Sequence, residues 1–277
     1  MRIGIVGLGL IGASFAKAVK AYTDHSVYAF DINKDTLSFA EFMEIIDGEL
    51  TDEEVSLCDY VFVSVYPEKA VEWIEENAKK LKKDSIVIDC CGVKEAVCQR
   101  CFDVARENGF TFIGGHPMAG YHKSGIKYSK ATMFKGASMI LVPENTEDIS
   151  LLSGVTAFFK SIGFGSVTVT DAKTHDKNIA FTSQLAHVVS NAYVKSPQAI
   201  VHKGFSAGSY KDLTRVAYLN ENMWAELFME NKEFLADEID NIINELKKYS
   251  QALKDEDKEK LTALLKEGKE RKELIDN

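Results

Sequence analysis

Hydrophobic residues in the first 170 positions form short apolar runs separated by amphipathic segments of helical length. The runs are rich in valine, isoleucine and aromatic residues, which indicates buried strands. They predict a first strand that ends before Gly7 and further strands at 26–30, 60–65, 85–89, 110–113, 138–142 and 166–169. The segments between them predict helices after Gly12 and at 34–43, 67–81, 93–108 and 149–162. Strands and helices that alternate in this way form right-handed βαβ units, so the pattern predicts a doubly wound parallel sheet.

The strand pattern ends at Asp171, and apolar residues then recur at helical spacing. These repeats predict helices at 173–195, 212–219, 221–253 and 255–274. Two domains are therefore predicted, residues 1–171 with the sheet and residues 172–277 made of helices. A helical domain in this position is expected to supply substrate contacts or a dimer interface.

The composition narrows the classes of partner. The chain has 277 residues and a formal net charge of −9, with 45% hydrophobic and 27% charged residues, as in soluble globular proteins. The negative charge argues against nucleic acid or an anionic membrane as partner, and an anionic substrate would need a local basic group. The longest uncharged stretch, residues 3–16, is too short to span a bilayer. A cytoplasmic protein is expected.

The cysteines show no framework of disulfides. There are five, an odd number, which suits reduced thiols: Cys58, Cys90, Cys91, Cys98 and Cys101. Cys98 and Cys101 have the spacing of a zinc or redox pair, but Cys90 and Cys91 are neighbours at a strand end and point to opposite faces. The four thiols are not expected to meet at one metal, so the sequence favours buried apolar cysteines and predicts no metal site.

Three glycines follow the first strand at the spacing of a dinucleotide-binding loop. Gly7 allows a sharp turn, Gly9 allows backbone to approach a pyrophosphate, and Gly12 allows the helix to pack closely on the sheet. The pyrophosphate would bind the free amides at the helix start, where Leu10 and Ile11 lie. The predicted fold class is therefore α/β, with an N-terminal Rossmann-type doubly wound sheet followed by an all-α C-terminal domain.

An acidic residue follows at the end of the second strand. Asp31 lies about twenty residues beyond the last glycine, where a carboxylate accepts hydrogen bonds from the adenosine ribose. A 2′-phosphate would meet a like charge there and no arginine follows directly, so NAD is favoured over NADP. The alternative is that Asp31 caps the helix at 34–43, although Asn33 could cap it as well. Ser64 and Tyr66, near the end of the strand at 60–65, are further candidate cofactor contacts.

The candidate chemistry lies between the strands at 110–113 and 138–142. His116 is expected in a stiff loop, 114–120, at the carboxyl end of a parallel strand, where ligands bind in open α/β sheets. Neighbouring glycines would let a ligand approach, and Pro117 restrains the histidine backbone. The alternative is a loop histidine bonded to backbone.

The run from His116 to Gly120, His-Pro-Met-Ala-Gly, between a Rossmann half and a helical half resembles the prephenate and arogenate dehydrogenases of tyrosine biosynthesis. Further matches follow in order, at 174–176, at His187, at 212–217 and at 223–224, so the resemblance covers nearly the whole chain. It implies oxidation of prephenate by hydride transfer to NAD(P)⁺ with loss of carbon dioxide, giving 4-hydroxyphenylpyruvate. It also implies that His116 is the catalytic proton acceptor, and a homodimer is expected.

The resemblance also implies substrate contacts. Arg215 matches the arginine that holds a substrate carboxylate, the alternative being an ion pair with Asp212 or Glu221. His175 and His187 are expected either to lie behind the catalytic groups or to orient substrate; twelve residues apart, they could share one helix face. Trp224 would pack in the pocket or in the core.

Three positions depart from the family pattern. Gly92 stands where many members have a serine that bonds substrate and catalytic histidine, His122 where many have glutamate, and Gln184 where many have histidine. Arogenate as substrate therefore stays open, and so does a non-catalytic NAD-binding sensor. A 3-hydroxyacid dehydrogenase is disfavoured, because the helix at 173–195 lacks the glycine-rich lysine context of that class.

Overall fold

The computed structural model describes residues 1–121, 123–202 and 204–276, so His122 lies outside the described residues. Its sheet has eight strands: β1 (Arg2–Val6), β2 (Ser26–Phe30), β3 (Gly48–Glu49), β4 (Tyr60–Val63), β5 (Ile86–Asp89), β6 (Thr111–Pro117), β7 (Ser138–Pro143) and β8 (Ser166–Val169). The short strand β3 was not predicted.

The strand order is β3-β2-β1-β4-β5-β6-β7-β8, and every neighbouring pair is parallel except β6 with β7. The Rossmann-type sheet is thereby confirmed. The predicted alternation fails at one place, because the described residues between β6 and β7, 118–121 and 123–137, contain no crossover α-helix. The antiparallel pairing extends β6 to Pro117, opposite Met139. His116 therefore lies within a strand, opposite Ile140, and the prediction of a loop was wrong.

Helices pack on both faces of the sheet and make up most of the chain after β8. They are α1 (Leu10–Tyr22), α2 (Lys34–Phe42), α3 (Asp52–Val55), α4 (Pro67–Asn77), α5 (Glu95–Asn108), α6 (Ile149–Ser161), α7 (Ala172–Ile179), α8 (Ala186–Tyr193), α9 (Gln198–Val201), α10 (Gly208–Thr214), α11 (Glu221–Glu230), α12 (Lys232–Lys254) and α13 (Lys258–Asp276).

The core is divided by the sheet into two layers. On β4, Tyr60 and Phe62 face a layer of aromatic side chains that includes Phe15 and Phe158. The alternate residues, such as Val61, face a layer under α4 and α5. Successive side chains of a strand point to opposite faces, which explains why the central strands are apolar throughout. Because β1, β4, β5 and β6 are parallel neighbours, their carboxyl ends lie together at one edge of the sheet.

The helical domain departs from the predicted helices at four points. Helix α9 was not predicted, and the helix predicted at 212–219 lies at Gly208–Thr214. The helix predicted at 173–195 contains a π-helical segment, Ala180–Leu185, between α7 and α8. The long helix predicted at 221–253 is broken at Asn231, whose backbone leaves the helical region at φ −116° and ψ 27°. Its buried side chain donates hydrogen bonds to Asp176 O and to Gln184 Oε1, at 2.9 and 2.7 Å. No helix in the described part of the chain is long and apolar enough to cross a membrane.

Candidate active site

Two glycines shape the turn between β1 and α1. Gly7 has φ +87°, and a Cβ built there would lie 2.6 Å from Val65 Cγ1. A Cβ on Gly12 would lie 1.9 Å from the carbonyl oxygen of Gly7. A larger residue fits at neither position, so the loop packs directly against the chain that leaves β4.

The N terminus of α1 is open to a ligand. Gly9 is the N-cap, with no side-chain cap bond, and no atom of the described residues lies within 4 Å of a Cβ built on it. The first amides of the helix, those of Leu10 and Ile11 among them, have no acceptor within the helix. Such amides, together with the helix dipole, favour a pyrophosphate. This end of α1 therefore fits the diphosphate of NAD.

Asp31 lies beside this turn, just beyond β2. Its carboxylate accepts the amide of Leu8 at 2.7 Å and the amide of Asn33 at 2.8 Å. The side chain of Asn33 caps α2, so Asp31 does not serve as that cap. The carboxylate is thus held next to the glycine loop, and its contact with the adenosine ribose of NAD stays a prediction.

The other two candidate cofactor contacts lie beyond β4. The buried hydroxyl of Ser64 has no hydrogen-bond partner among the described residues, and its Cβ would lie 3.1 Å from a Cβ on Gly12. Tyr66 is 46% exposed and is the N-cap residue of α4. Both stay predictions as cofactor contacts.

His116, at the carboxyl end of β6, begins a chain of hydrogen-bonded side chains. Its Nδ1 lies 2.9 Å from Nε2 of His175, and His175 Nδ1 lies 2.6 Å from Oδ1 of Asp176. The Asp176 carboxylate also accepts the amides of Lys94 and Glu95 at the start of α5, both at 2.8 Å. We call His116, His175 and Asp176 the relay.

The relay determines which nitrogen of His116 is free. Because the Asp176 carboxylate accepts, His175 Nδ1 carries the hydrogen and His175 Nε2 has a lone pair. That lone pair accepts the hydrogen on His116 Nδ1, which leaves a lone pair on His116 Nε2. His116 is therefore oriented as a base through Nε2.

The protonation of both histidines fits this arrangement. Burial holds the pKa of His116 well below its usual range, and the charges of His175 and Lys94 lower it further. Burial also lowers the pKa of His175, although the bond to Asp176 opposes this. Both rings are thus neutral near pH 7, as a proton acceptor requires.

His175 is 2% exposed, and the relay occupies both of its ring nitrogens. Of the two roles expected for His175, this placement favours support of the catalytic residue, because no ring nitrogen is left to face a ligand, and a substrate contact stays a prediction. His175 lies behind His116.

His187 lies on α8, in the helical domain. Its Nδ1 donates to the carbonyl oxygen of Val216 at 3.0 Å, and its ring centre is 4.0 Å from that of Trp224. Burial lowers the pKa of His187, the bond to Val216 opposes this, and the charge of Arg215 lowers it again. His187, Trp224 and Arg215 are therefore brought together.

Arg215 follows α10 and is exposed. Within the described ranges it has no ion pair, so the alternative of a bond to Asp212 or Glu221 is not adopted. Its guanidinium is available to an anionic ligand.

The departures at Gly92 and Gln184 have different surroundings. A Cβ on Gly92 would lie 3.5 Å from Leu227 Cδ2, an ordinary contact, so a serine side chain has room there. Gln184 is buried, and its Nε2 donates to the carbonyl oxygen of Leu227 at 3.2 Å. Gln184 thus connects the π-helical segment, which contains it, to α11, and its side chain is buried between them.

The sequence analysis matched residues 174–176 to the family but gave Asp176 no role, and it missed Lys94, Asp89 and Asn231 as parts of the site. Asp176 directly follows His175 in the His-Asp pair, a signal that could have found it. Nothing local marks Asn231, because its hydrogen bonds reach residues 47 and 55 positions away in the chain. Lys94 and Asp89 are only five positions apart, but hydrophobic periodicity does not show that they pair. Among the residues described, no cluster of three His, Cys, Asp or Glu side chains could hold a metal, and all five cysteines are free.

Comparisons with known proteins cover both halves of the chain. The model of the prephenate dehydrogenase nucleotide-binding domain matches residues 15–168, and that of the prephenate dehydrogenase dimerization domain matches residues 171–267. The cyclohexadienyl dehydrogenase of Zymomonas mobilis is 30% identical over 96% of this chain and 93% of its own length. The prephenate dehydrogenase of Lactococcus lactis is 28% identical over 99% of this chain and 77% of its own length. The structure of Aquifex aeolicus prephenate dehydrogenase with hydroxyphenyl propionate and NAD⁺ has a TM-score of 0.83 and 30% identity, covering 99% of this chain and 98% of that one.

Proposed function

The chain belongs to the prephenate dehydrogenase family, and from that premise we propose that it oxidises prephenate with NAD⁺ to 4-hydroxyphenylpyruvate and carbon dioxide, a step of tyrosine biosynthesis. It is an NAD-dependent dehydrogenase. The observation that carries the proposal is the relay, which presents a neutral histidine at the carboxyl edge of the sheet that also bears the glycine loop.

His116 acts as the general base. Its Nε2 accepts the proton of the substrate carbinol, and the positive charge that develops on the ring is stabilised through His175 by the Asp176 carboxylate. A positioned base of this kind contributes about 10² to 10⁴ in rate. The relay resembles in its logic the base and orienting carboxylate of a serine hydrolase.

NAD⁺, when bound, accepts the carbinol hydride. The residues proposed to hold it are Gly7, Gly9 and Gly12, with the amides of Leu10 and Ile11 on the pyrophosphate, Asp31 on the adenosine ribose, and Ser64 and Tyr66 near the nicotinamide half. The open N terminus of α1 and the fixed carboxylate of Asp31 support this assignment.

The ring carboxylate leaves as carbon dioxide, and its bonding electrons complete the aromatic ring. The proton taken by His116 then returns to the phenolic oxygen, so the reaction releases no net proton. Prephenate dianion and NAD⁺ give 4-hydroxyphenylpyruvate anion, carbon dioxide and NADH.

Arg215 is proposed to hold a substrate carboxylate, with His187 and Trp224 beside it. Its exposed guanidinium without an ion pair in the described ranges supports this role, since a guanidinium binds a carboxylate through two hydrogen bonds. Gly92 is proposed to line the substrate site from the Rossmann side; a Cβ built on it would lie 3.5 Å from Leu227 Cδ2 of α11, which places it next to the helical domain.

We also propose that two chains associate through residues 172–277, the domain that carries the dimerization match, while residues 1–171 bind the cofactor. The expected compartment is the cytoplasm, which agrees with five free thiols.

Replacement of His116 by asparagine tests the base. His116→Asn should lower kcat for NADH formation from prephenate by about 10² to 10⁴ while the Kd for NAD⁺ is unchanged. Turnover at the wild-type rate in this variant would remove His116 from the chemistry.

A further inference from the structure

Lys94 is a buried charged residue that the mechanism above does not use. It lies just before α5 and is fully buried. Lysine is almost never fully buried unless it is paired, because removing an ammonium from water is costly. Its environment therefore has to explain why it is there.

The side chain and the backbone of Lys94 reach different parts of the site. Nζ bonds to Oδ2 of Asp89, at the end of β5. The other oxygen of Asp89 accepts the amide of Gly115, the residue before His116, at 3.1 Å. The amide of Lys94 donates to Oδ1 of Asp176 at 2.8 Å. One residue thus connects the strand that carries His116 with the carboxylate at the far end of the relay.

We infer that Lys94 is a positioning residue of the relay, an inference that rests on the proposed function. Through Asp89 it holds the end of β6, and through its own amide it holds Asp176. His116 and His175, which come from separate domains, are thereby kept at hydrogen-bonding distance.

The charge of Lys94 has a second effect on the same residues. Burial lowers the pKa of Lys94, but the Asp89 carboxylate raises it above its usual range, so the side chain is an ammonium. The other titratable groups near it are four cysteines, an aspartate of α7 and a glutamate of α11: Cys90, Cys91, Cys98, Cys101, Asp176 and Glu230.

This cation disfavours a second positive charge nearby. It contributes to the low pKa of both His116 and His175. Lys94 therefore also keeps the base in its neutral form.

The test measures the titration of His116 directly, in the full-length protein. The ring signals of His116 are followed by NMR against pH and assigned by their loss in His116→Asn. The variants are Lys94→Met and the double variant Asp89→Asn/Lys94→Met, which replaces the buried pair by neutral side chains. The matched control is Lys82→Met, because Lys82 also pairs with an aspartate, Asp59, but at the amino edge of the sheet.

In Lys94→Met the pKa of His116 should rise by about one pH unit, and by less in the double variant, which lacks the unpaired carboxylate. The acid limb of kcat/KM should move by the same amount and kcat should fall, while Lys82→Met matches wild type.

An unchanged His116 titration, in a Lys94→Met protein that binds NAD⁺ as wild type does, would overturn the inference. If that variant does not fold, the double variant decides: an unchanged titration together with unchanged kcat overturns it too. A wild type that fails to oxidise prephenate, but whose His116 titration responds to Lys94→Met, would contradict only the proposed function.

Discussion

Removal of His175 tests how much the relay contributes to the reaction. His175→Leu removes His175 Nε2, which lies 2.9 Å from His116 Nδ1 and accepts its hydrogen. The N–H of His116 Nδ1 then has no acceptor among the described residues. In the transition state the lost bond is one to a ring that is gaining positive charge, and such bonds contribute about 1.5 to 3 kcal/mol. At 1.36 kcal/mol for each tenfold, kcat should fall about 10- to 150-fold.

The assay is initial NADH formation with saturating prephenate and NAD⁺. His175→Gln is the conservative partner variant, because its amide oxygen can accept the hydrogen of His116 Nδ1, and it should recover part of the loss. His25→Leu is the matched control: His25 lies before β2 at the amino edge of the sheet and should leave kcat unchanged. Wild-type kcat in His175→Leu, with the protein folded, would refute the relay.

Three further predictions concern substrate binding and pH. Arg215→Ala should raise KM for prephenate by about 10-fold or more with a smaller change in kcat, because a charged hydrogen bond to one carboxylate is lost; an unchanged KM would move that role elsewhere. Since burial lowers the pKa of His116, kcat/KM of the wild type should stay level as pH falls through about 6.5, the ordinary histidine value, and decline only below it; a decline centred at 6.5 or above would contradict the burial argument. Burial, with the Glu226 charge, raises the pKa of Glu230 to about 7, so the folded state loses stability as pH rises from 4.5, the pKa of this group in the unfolded chain, through 7. Glu230→Gln should therefore raise Tm at pH 8 and change Tm little at pH 5. An equal change in Tm at both pH values would contradict this role of Glu230.

The pattern of the Rossmann half was predictable because its information is local. Apolar runs such as the one that forms β4 are buried on both faces, and the glycines at 7 and 12 stand where a Cβ would collide with backbone or side chain. The antiparallel entry of β7 was not predictable from such signals, because strand direction depends on how the connection at 118–137 folds back. That pairing is also why His116 lies in a strand.

The site could be predicted in its members but not in its connections. His116 and His175 are 59 positions apart, and no spacing rule shows that their rings meet. The π-helical turn after α7 and the break at Asn231 both depend on buried polar bonds between α7, the π segment and the α11–α12 junction. Hydrophobic periodicity carries no signal for such bonds, since it reports which face is apolar and not which polar groups pair.

The most direct test of the central claim is NADH or NADPH formation by the purified protein in four parallel reactions, with prephenate or arogenate and NAD⁺ or NADP⁺. We predict turnover with prephenate and NAD⁺ that yields 4-hydroxyphenylpyruvate, and little with NADP⁺ because Asp31 would face its 2′-phosphate. No turnover in any of the four reactions, by protein that still binds NAD⁺, would contradict the assignment and favour a cofactor-binding role without catalysis.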